Sequence, residues 1–116
     1  MPSSNVRVLL VEDSPIALTI LQRLLASAPD IEVVGTARNG IEALDLIPKL
    51  DPTVVCTDLH MPKMGGLELT RQIMATYPRP ILVISASVDE DNSENAFQLL
   101  QAGALDIFPK PRTGLS

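Results

Sequence analysis

The feature that most constrains the fold is a set of five short apolar runs, rich in valine and isoleucine, that recur along the chain. Apolar and polar residues alternate little within these runs, which is typical of strands that are buried on both faces of a parallel sheet. Segments with helical spacing separate the runs, so strand and helix alternate. The pattern predicts an α/β fold with strands at residues 6–11, 31–37, 53–57, 80–84 and 104–108.

Helix signals occupy the four intervals between the strands. The pair Ser14-Pro15 predicts the start of the first helix, because serine caps free amides and proline fits the first helical position; this helix should end near Pro29. The pair Asn39-Gly40 leads into the second helix, and Pro48 should mark its frayed end. The apolar faces of the other two predicted helices are Leu69, Ile73 and Tyr77 for the third, and Phe97 and Leu100 for the fourth, at about residues 92–102.

Five strands with four helices are one helix short of a complete doubly wound domain. The last strand needs a helix to cover it, and the chain stops where that helix should begin. We therefore expect residues 1–116 to form one domain whose last helix is missing, and to be the N-terminal part of a longer protein. The segment 112–116 resembles the beginning of a linker.

The composition suits one small domain and argues against several classes of function. A chain of 116 residues, 46% of them hydrophobic, can bury one core. The 14 acidic and 9 basic side chains give a net charge of -5, the wrong sign for a surface that gathers nucleic-acid phosphates. Cys56 has no second cysteine to pair with, and the first apolar run is too short and too polar for a signal peptide or a membrane span. We therefore expect a cytoplasmic protein that neither binds nucleic acid through this segment nor inserts into a membrane.

Polar or ionisable residues follow four of the five predicted strands. Glu12-Asp13 comes after the first strand, Asp58 after the third, Ser85 after the fourth and Lys110 after the fifth. The carboxyl ends of parallel strands meet at one edge of the sheet, where ligands of doubly wound folds bind. Three carboxylates brought together there repel one another unless a cation is bound, and an all-oxygen set favours Mg²⁺. No glycine-rich phosphate loop follows the first strand, which favours a phosphate transferred to the protein over a cradled nucleotide.

Four short motifs occur in register with this pattern. They are Val11-Glu12-Asp13-Ser14, then Thr57-Asp58-Leu59-His60-Met61-Pro62 with Gly65-Gly66, then Ser85-Ala86, and finally Lys110-Pro111. In their order along the whole chain, these motifs resemble a response-regulator receiver domain. The resemblance implies a flavodoxin-like, doubly wound parallel sheet of five strands in the order 2-1-3-4-5. That order would bring Glu12 and Asp13 close to Asp58.

The resemblance also implies a role for each site residue. Asp58 matches the family's phosphoacceptor, which takes a phosphoryl group from a histidine kinase as an acyl phosphate. Glu12-Asp13 matches the acidic pair that holds Mg²⁺, with Asp58 and the backbone carbonyl of His60 as the remaining protein ligands. Lys110 matches the lysine that pairs with a phosphoryl oxygen, and Ser85 matches the hydroxyl that turns toward the phosphoryl group. This set implies a phosphorylation-controlled switch in two-component signalling.

Three stretches are similar to one subfamily, the regulatory domain of the chemotaxis protein-glutamate methylesterases. They are residues 103–107 through Lys110-Pro111, the strand at 80–86, and the exit segment 112–116. In that subfamily a catalytic domain follows the receiver, and phosphorylation relieves its inhibition. The resemblance thus implies a methylesterase output domain. In the switch hypothesis, a phosphoryl group on Asp58 recruits Ser85 and Lys110 and shifts residues 87–105.

The sequence departs from the family pattern at two positions. Ile107 stands where the family usually has an aromatic switch residue, and the neighbouring Phe108 should point to the opposite face of the sheet. Either side chain could couple Ser85 to the output surface. Glu12 replaces the commoner aspartate, which lengthens one arm of the metal site but keeps its charge. In this family Lys110-Pro111 would also be a cis peptide.

Other interpretations of the same residues stay open at this point. The chain could be a receiver for another class of output or a receiver that stands alone. It could be a pseudo-receiver that binds a partner through its fourth helix without phosphorylation, although the acidic, hydroxyl and lysine set is complete. A Mg²⁺-dependent phosphohydrolase with the same aspartyl nucleophile is a third possibility, but the sequence offers no second acid-base residue and no substrate cap. Taken singly, Ser85 could be a turn hydroxyl and Lys110 a surface lysine.

Overall fold

The computed structural model describes residues 5–86 and 93–110, with side chains described at 5–86 and 95–110. The strands are β1 (Val6–Val11), β2 (Ile31–Ala37), β3 (Val54–Asp58), β4 (Ile81–Ser85) and β5 (Asp106–Pro109). The helices are α1 (Pro15–Ala26), α2 (Gly40–Leu50), α3 (Gly66–Thr76) and α4 (Ser93–Ala102). Among the described helices, none combines the length and the apolarity that crossing a bilayer requires. Residues 111–116 lie outside the described part of the chain, so the expectation that a last helix is missing stays a prediction.

The five strands form one parallel sheet in the order β2-β1-β3-β4-β5. This confirms the predicted flavodoxin-like fold and its strand order. Val11 at the end of β1 is paired with Ala37 of β2 and with Thr57 of β3. Since the winding of the chain reverses at β1, the crevice of the fold lies beyond Val11 and Thr57. Glu12 and Asp58, the residues that come next, therefore meet at this edge.

Alternate side chains along the strands enter two separate cores, one on each face of the sheet. Leu9 and Val11 of β1 belong to the core covered by α2, α3 and α4, whereas Val8 and Leu10 belong to the core covered by α1. All four are buried, and this two-sided burial explains why the strands lack polar alternation. The buried helix residues that complete the cores are Ile47, Leu69, Ile73 and Leu99 on the first face and Leu21 on the second.

The first two helices begin at the residues that the sequence indicates. Ser14 caps α1: its Oγ accepts a hydrogen bond from the amide of Ala17 at 3.3 Å, and Pro15 takes the first helical position. Asn39 caps α2 through its Oδ1, which lies 2.9 Å from the amide of Glu42. These bonds satisfy amides that no helical carbonyl can reach, and they fix the point at which each helix leaves the sheet edge.

The prediction that Pro48 ends α2 is wrong, since the helix continues to Leu50. Pro48 lies in the last turn, where its ring removes one hydrogen bond, the bond that an amide would donate to the carbonyl of Leu44. The remaining bonds carry the helix past the proline. The helix ends at Asp51, which adopts a left-handed conformation with φ of 48° and donates its amide to Ile47 O at 2.8 Å.

The predicted buried face of α4 is also wrong. Phe97 is 61% exposed and Leu100 is 50% exposed, whereas Leu99, at 1%, is the α4 side chain that enters the core. Leu99 lies about 100° around the helix axis from Leu100 and about 200° from Phe97, so one face cannot bury all three. The spacing of Phe97 and Leu100 fits a helix face, but it does not say which face meets the sheet.

Strands β3, β4 and β5 each start and end one or two residues later than predicted. Asp58 and Ser85 are consequently the last residues of their strands rather than the first residues of loops. Sheet hydrogen bonds continue beyond both residues: the Leu59 amide donates to Ile84 O at 3.1 Å, and the Lys110 amide donates to Ser85 O at 2.9 Å. The backbone at this edge of the sheet is therefore held by the ladder itself.

Replacing Pro48 with alanine should stabilise the protein, because the new amide can donate to the Leu44 carbonyl inside α2. Proline costs a helix about 3 kcal/mol relative to alanine, and the greater freedom of the unfolded chain offsets part of this, so we expect a gain of about 1–2 kcal/mol. Urea unfolding followed by circular dichroism measures the difference. Pro15→Ala is the matched control: proline at the first position of α1 has no helical bond to restore, so this change should not stabilise. An equal gain in both variants would contradict the explanation.

Candidate functional site

Strand ends bring the predicted acidic residues together at one edge of the sheet. Carboxylate oxygens of Glu12, Asp13 and Asp58 lie within 4.8 Å of one another. Glu12 and Asp58 are buried, whereas Asp13 is exposed. This closeness follows from the pairing of β1 with β3, which sets the residues after Val11 beside Asp58.

Lys110 lies between the two buried carboxylates. Its Nζ is 3.0 Å from Oε1 of Glu12 and 3.1 Å from Oδ2 of Asp58, and its side chain is only 19% exposed. The backbone holds the lysine in place, because its amide donates to Ser85 O at 2.9 Å. Ion pairs shielded from water and supported by hydrogen bonds are stronger than surface pairs. Lys110 thus connects the ends of β1, β3, β4 and β5.

Two buried carboxylates and one ammonium leave the site with an excess of negative charge. Burial raises the pKa of Glu12, and the Asp58 charge adds to the rise, while hydrogen bonds from the Ser14 amide and Lys110 oppose it. Burial alone would lower the pKa of Lys110, but hydrogen bonds and charge contacts with Glu12 and Asp58 raise it above its ordinary value. The lysine therefore stays charged and offsets part of the repulsion between the carboxylates.

One oxygen of this cluster lacks a hydrogen bond. Glu12 Oε1 is buried and accepts none from the described residues, so its contact with Lys110 Nζ is electrostatic. Buried polar atoms in proteins are normally paired with a donor, a water molecule or an ion. Carboxylate oxygens are also the ligands that Mg²⁺ prefers. The donor set therefore fits a divalent cation.

The two oxygens of the Asp58 carboxylate have different surroundings. Oδ1 accepts a hydrogen bond from the Leu59 amide at 2.8 Å, whereas Oδ2 faces Lys110. The start of α3 packs closely here: a Cβ on Gly66 would lie 2.5 Å from the Asp58 carbonyl oxygen, so a larger residue would displace backbone. The backbone thus holds Oδ1 and leaves Oδ2 facing the charged cluster, where it can act as a nucleophile.

Glu12 also connects the site to the start of α1. Its Oε2 accepts one hydrogen bond from the Ser14 amide at 3.0 Å and another from Lys110 Nζ at 3.1 Å. Amides at a helix N-terminus carry partial positive charge, which favours a carboxylate there. The glutamate arm, one methylene longer than aspartate, therefore reaches both the helix and the lysine.

The remaining predicted residues lie around this cluster. Ser85 is buried at the end of β4. His60 is exposed after β3, as expected of its side chain, and the role of its carbonyl stays a prediction. Ile107 packs against the core beneath α4, whereas Phe108 is exposed, in keeping with the alternation of β5. Their part in coupling stays a prediction, and the peptide at Lys110-Pro111 lies outside the described residues.

Two neighbours of Asp58 have no role assigned from the sequence. Thr57 is 0% exposed and donates its hydroxyl to the Asp58 carbonyl at 2.9 Å. Gly66 packs against the same carbonyl. The sequence shows only a threonine in an apolar strand and a glycine after Gly65. Neither residue type indicates that the Asp58 carbonyl is its neighbour.

Comparison with known proteins agrees with this geometry. Residues 8–114 match the family described as the response regulator receiver domain. The chain belongs to this family. Receiver domains take part in two-component signalling, and phosphorylation and Mg²⁺ binding at an acidic pocket are general properties of the family.

Relatives that match almost the whole chain are protein-glutamate methylesterase/protein-glutamine glutaminases. Protein-glutamate methylesterase/protein-glutamine glutaminase 4 from Geobacter metallireducens is 45% identical over 107 residues, which are 92% of this chain and 31% of that protein. The one from Pyrococcus abyssi is 41% identical over 112 residues, which are 97% of this chain and 30% of that protein. The chain thus spans less than a third of the length of these relatives.

Solved structures share the receiver fold across more than one class of regulator. The response regulator domain of Thermotoga maritima CheB has a TM-score of 0.86 at 33% identity, with 97% of this chain and 83% of that chain covered. The signal receiver domain of the response regulator NarL from Mycobacterium tuberculosis has the same TM-score, 0.86, at 31% identity, with 96% and 88% covered. The fold therefore identifies a receiver and does not by itself distinguish its output.

The thiol of Cys56 should react slowly in the native protein. Burial raises its pKa to about 11, and the carboxylates of Glu12 and Asp58 add to the rise, so the thiol stays protonated at pH 8. Since only the thiolate attacks alkylating reagents, we expect reaction at least about 100-fold slower than for an ordinary exposed cysteine. Alkylation by iodoacetamide, followed by intact mass, measures the rate, and the urea-unfolded protein is the control. Equal rates in the native and unfolded protein would contradict this prediction.

Proposed function

We propose that this receiver accepts a phosphoryl group on Asp58 from a phosphohistidine of a histidine kinase, at a Mg²⁺ site formed by Glu12, Asp13 and Asp58. The observation that carries the proposal is the position of the Asp58 carboxylate, which has an oxygen within 4.8 Å of those of Glu12 and Asp13 and whose Oδ2 lies 3.1 Å from Lys110 Nζ. A nucleophile, an acidic cation site and a held ammonium are the groups that phosphoryl transfer to a carboxylate uses. Membership of the receiver family supports the same assignment.

The donor set supports Mg²⁺ as the cation. All the candidate ligands are oxygens, and the buried Oε1 of Glu12 accepts no hydrogen bond from the described residues. The backbone carbonyl of His60 would complete the protein ligands, as the family resemblance implies. When bound, Mg²⁺ offsets negative charge on the phosphoryl oxygens and so eases attack by a carboxylate.

The transfer consists of one bond made and one bond broken. Asp58 Oδ2 supplies the electron pair for a new P–O bond while the P–N bond of phosphohistidine breaks, and the imidazole keeps that pair and takes up a proton from water. The Leu59 amide that holds Oδ1 at 2.8 Å is fixed in the backbone, whereas the bond that Oδ2 accepts from Lys110 can be released because the lysine side chain can move. Lys110 starts 3.1 Å from Oδ2 and can follow the negative charge from the carboxylate to a phosphoryl oxygen. The product is an acyl phosphate on Asp58.

The new charge at Asp58 would then act on the neighbouring strands. The hydroxyl of Ser85 turns toward the phosphoryl group, and Lys110 pairs with one of its oxygens. A shift of Ser85 would be passed to β5, since Ser85 O accepts the Lys110 amide at 2.9 Å. Ile107 of β5 packs in the same core as Leu99 of α4, so this movement would reach the surface of α4.

A protein-glutamate methylesterase is the output that the relatives favour. Those from Geobacter metallireducens and Pyrococcus abyssi match 92% and 97% of this chain at 45% and 41% identity. In this proposal residues 1–116 are the N-terminal receiver of a longer protein, and phosphorylation of Asp58 relieves inhibition of a following esterase domain. The whole protein would work in the cytoplasm, whose reducing conditions suit the unpaired Cys56.

The other candidate functions lack a supporting observation in the described part of the chain. A phosphohydrolase needs an acid or a base beside its nucleophile, but among the described residues the hydrogen-bond donors to the Asp58 carboxylate are the Leu59 amide and the charged Lys110, and the two nearby carboxylates suit a cation site. A pseudo-receiver would have no use for three close carboxylates, whose repulsion costs stability.

Incubation with acetyl phosphate and Mg²⁺ should add one phosphoryl group to the wild-type chain. Asp58→Asn should add none, because an amide of the same shape is not a nucleophile. Omission of Mg²⁺ should slow the reaction by more than about 100-fold, since a cation at a transferring phosphoryl group contributes several kcal/mol. Intact-mass analysis over time measures all three.

Asp45→Asn is the matched control, because Asp45 is an exposed aspartate of α2 that pairs with Lys49 and lies outside the site. It should be labelled like the wild type. Labelling of the Asp58→Asn chain at the wild-type level would overturn the assignment of Asp58. No labelling of the wild type, with or without Mg²⁺, would favour the pseudo-receiver.

The gene sequence that continues this reading frame should encode a methylesterase domain. In the longer protein, acetyl phosphate should increase the release of methanol from methylated protein glutamates, and the Asp58→Asn form should show no increase. Methanol release at a fixed substrate concentration measures the effect. An esterase that ignores acetyl phosphate, or a following domain of another kind, would contradict the methylesterase output and leave the phosphoacceptor assignment standing.

A further inference from the structure

We propose that Thr57 is a positioning residue for the phosphoacceptor, because its hydroxyl holds the peptide group that orients the Asp58 carboxylate. The inference rests on the proposed function of Asp58. It assigns a role to a side chain that acts through the backbone and not through contact with the phosphoryl group.

Thr57 is a polar residue in an apolar position. It is 0% exposed and is in register with Val11 of β1 and Val83 of β4, both members of the core beneath α2, α3 and α4. Valine has nearly the same shape and would bury no hydroxyl at this point. Burying a hydroxyl without a partner destabilises a fold, so a hydroxyl at this point requires a hydrogen bond.

The partner of this hydroxyl is the carbonyl of Asp58. Thr57 Oγ1 donates to that oxygen at 2.9 Å. The same peptide group carries the Leu59 amide, which donates to Asp58 Oδ1 at 2.8 Å and to Ile84 O at 3.1 Å. A peptide group is planar, so fixing its oxygen also fixes the direction of its N–H. Thr57 therefore controls the direction of the bond that holds Oδ1.

Gly66 restricts the same peptide group by contact. A Cβ at this position would lie 2.5 Å from the Asp58 carbonyl oxygen and 3.0 Å from Leu59 Cα, both of which are backbone atoms. The first residue of α3 is thus packed directly against the carbonyl to which Thr57 donates. Hydrogen bond and contact together confine one oxygen atom.

The consequence for chemistry lies in the second carboxylate oxygen. When Oδ1 is held by the amide, Oδ2 faces Lys110 at 3.1 Å. Attack on phosphorus requires an oxygen at a narrow range of distances and angles. Loss of one ordinary hydrogen bond that sets this geometry should slow phosphorylation about tenfold.

The test compares initial rates of phosphorylation by acetyl phosphate with Mg²⁺, measured by intact mass. Thr57→Val removes only the hydroxyl and should react about tenfold more slowly, whereas Thr57→Ser keeps the hydroxyl and should stay within about twofold of the wild type. Thr57→Ser and Thr57→Ala form a second pair that differs only in the hydroxyl, which covers the case in which valine prevents folding. Thr70→Val is the control: Thr70 is equally buried, its hydroxyl donates to Gly66 O at 2.7 Å within α3, and its loss should leave the rate unchanged.

Urea unfolding of each variant separates an effect on rate from an effect on stability. Equal rates for Thr57→Ser and Thr57→Ala, or equal losses in Thr57→Val and Thr70→Val, would overturn the inference, because the hydroxyl would then matter to stability alone. Absence of labelling in the wild-type chain would contradict the proposed function itself. The two failures are therefore distinguishable.

Discussion

Repulsion between buried carboxylates is the constraint on which the rest of this molecule depends. Glu12 and Asp58 are shielded from water, and Asp13 lies close to both. Away from bulk water such charges destabilise a fold unless a positive group is held near them. Lys110 at the end of β5 is that group, with contacts of 3.0 and 3.1 Å. Since one ammonium does not balance three carboxylates, the arrangement that lowers stability is also the one whose donor set fits a divalent cation.

The fold could be predicted from the sequence to the level of strand order, because unbroken apolar runs indicate two-sided burial and the resemblance to a receiver domain implies the order of the strands. The ends of β1 and β2 could also be predicted, but the end of α2 and the ends of β3, β4 and β5 could not. The effect of Pro48 depends on whether its missing donor falls in the middle or the last turn of α2, which the residue type does not state. The buried face of α4 depends on how Leu99 packs against the sheet. The spacing of Phe97 and Leu100 predicted the wrong buried face, because both side chains are exposed. Both outcomes are set by tertiary contacts that local propensity does not contain.

Within the site, the charged residues were predictable for a simple reason: the ends of parallel strands converge, and Asp58 and Lys110 lie at such ends. Thr57 was not predictable, because a buried hydroxyl can donate to any of several nearby carbonyls and only the direction of one peptide group decides. Gly66 likewise matters through the distance between two pieces of backbone. Sequence patterns therefore find groups that act through charge and miss those that act through geometry.

Lys110 and Glu12, which share a hydrogen bond, are 98 positions apart in the chain. In a parallel sheet no two neighbouring strands can be joined by a tight turn, so every pairing must wait for a long connection to close. During synthesis the acidic residues leave the ribosome long before the lysine that offsets their repulsion. The ammonium therefore reaches the buried carboxylates only when the fifth strand docks, so the strand that is synthesised last completes the charge balance of groups that are synthesised first.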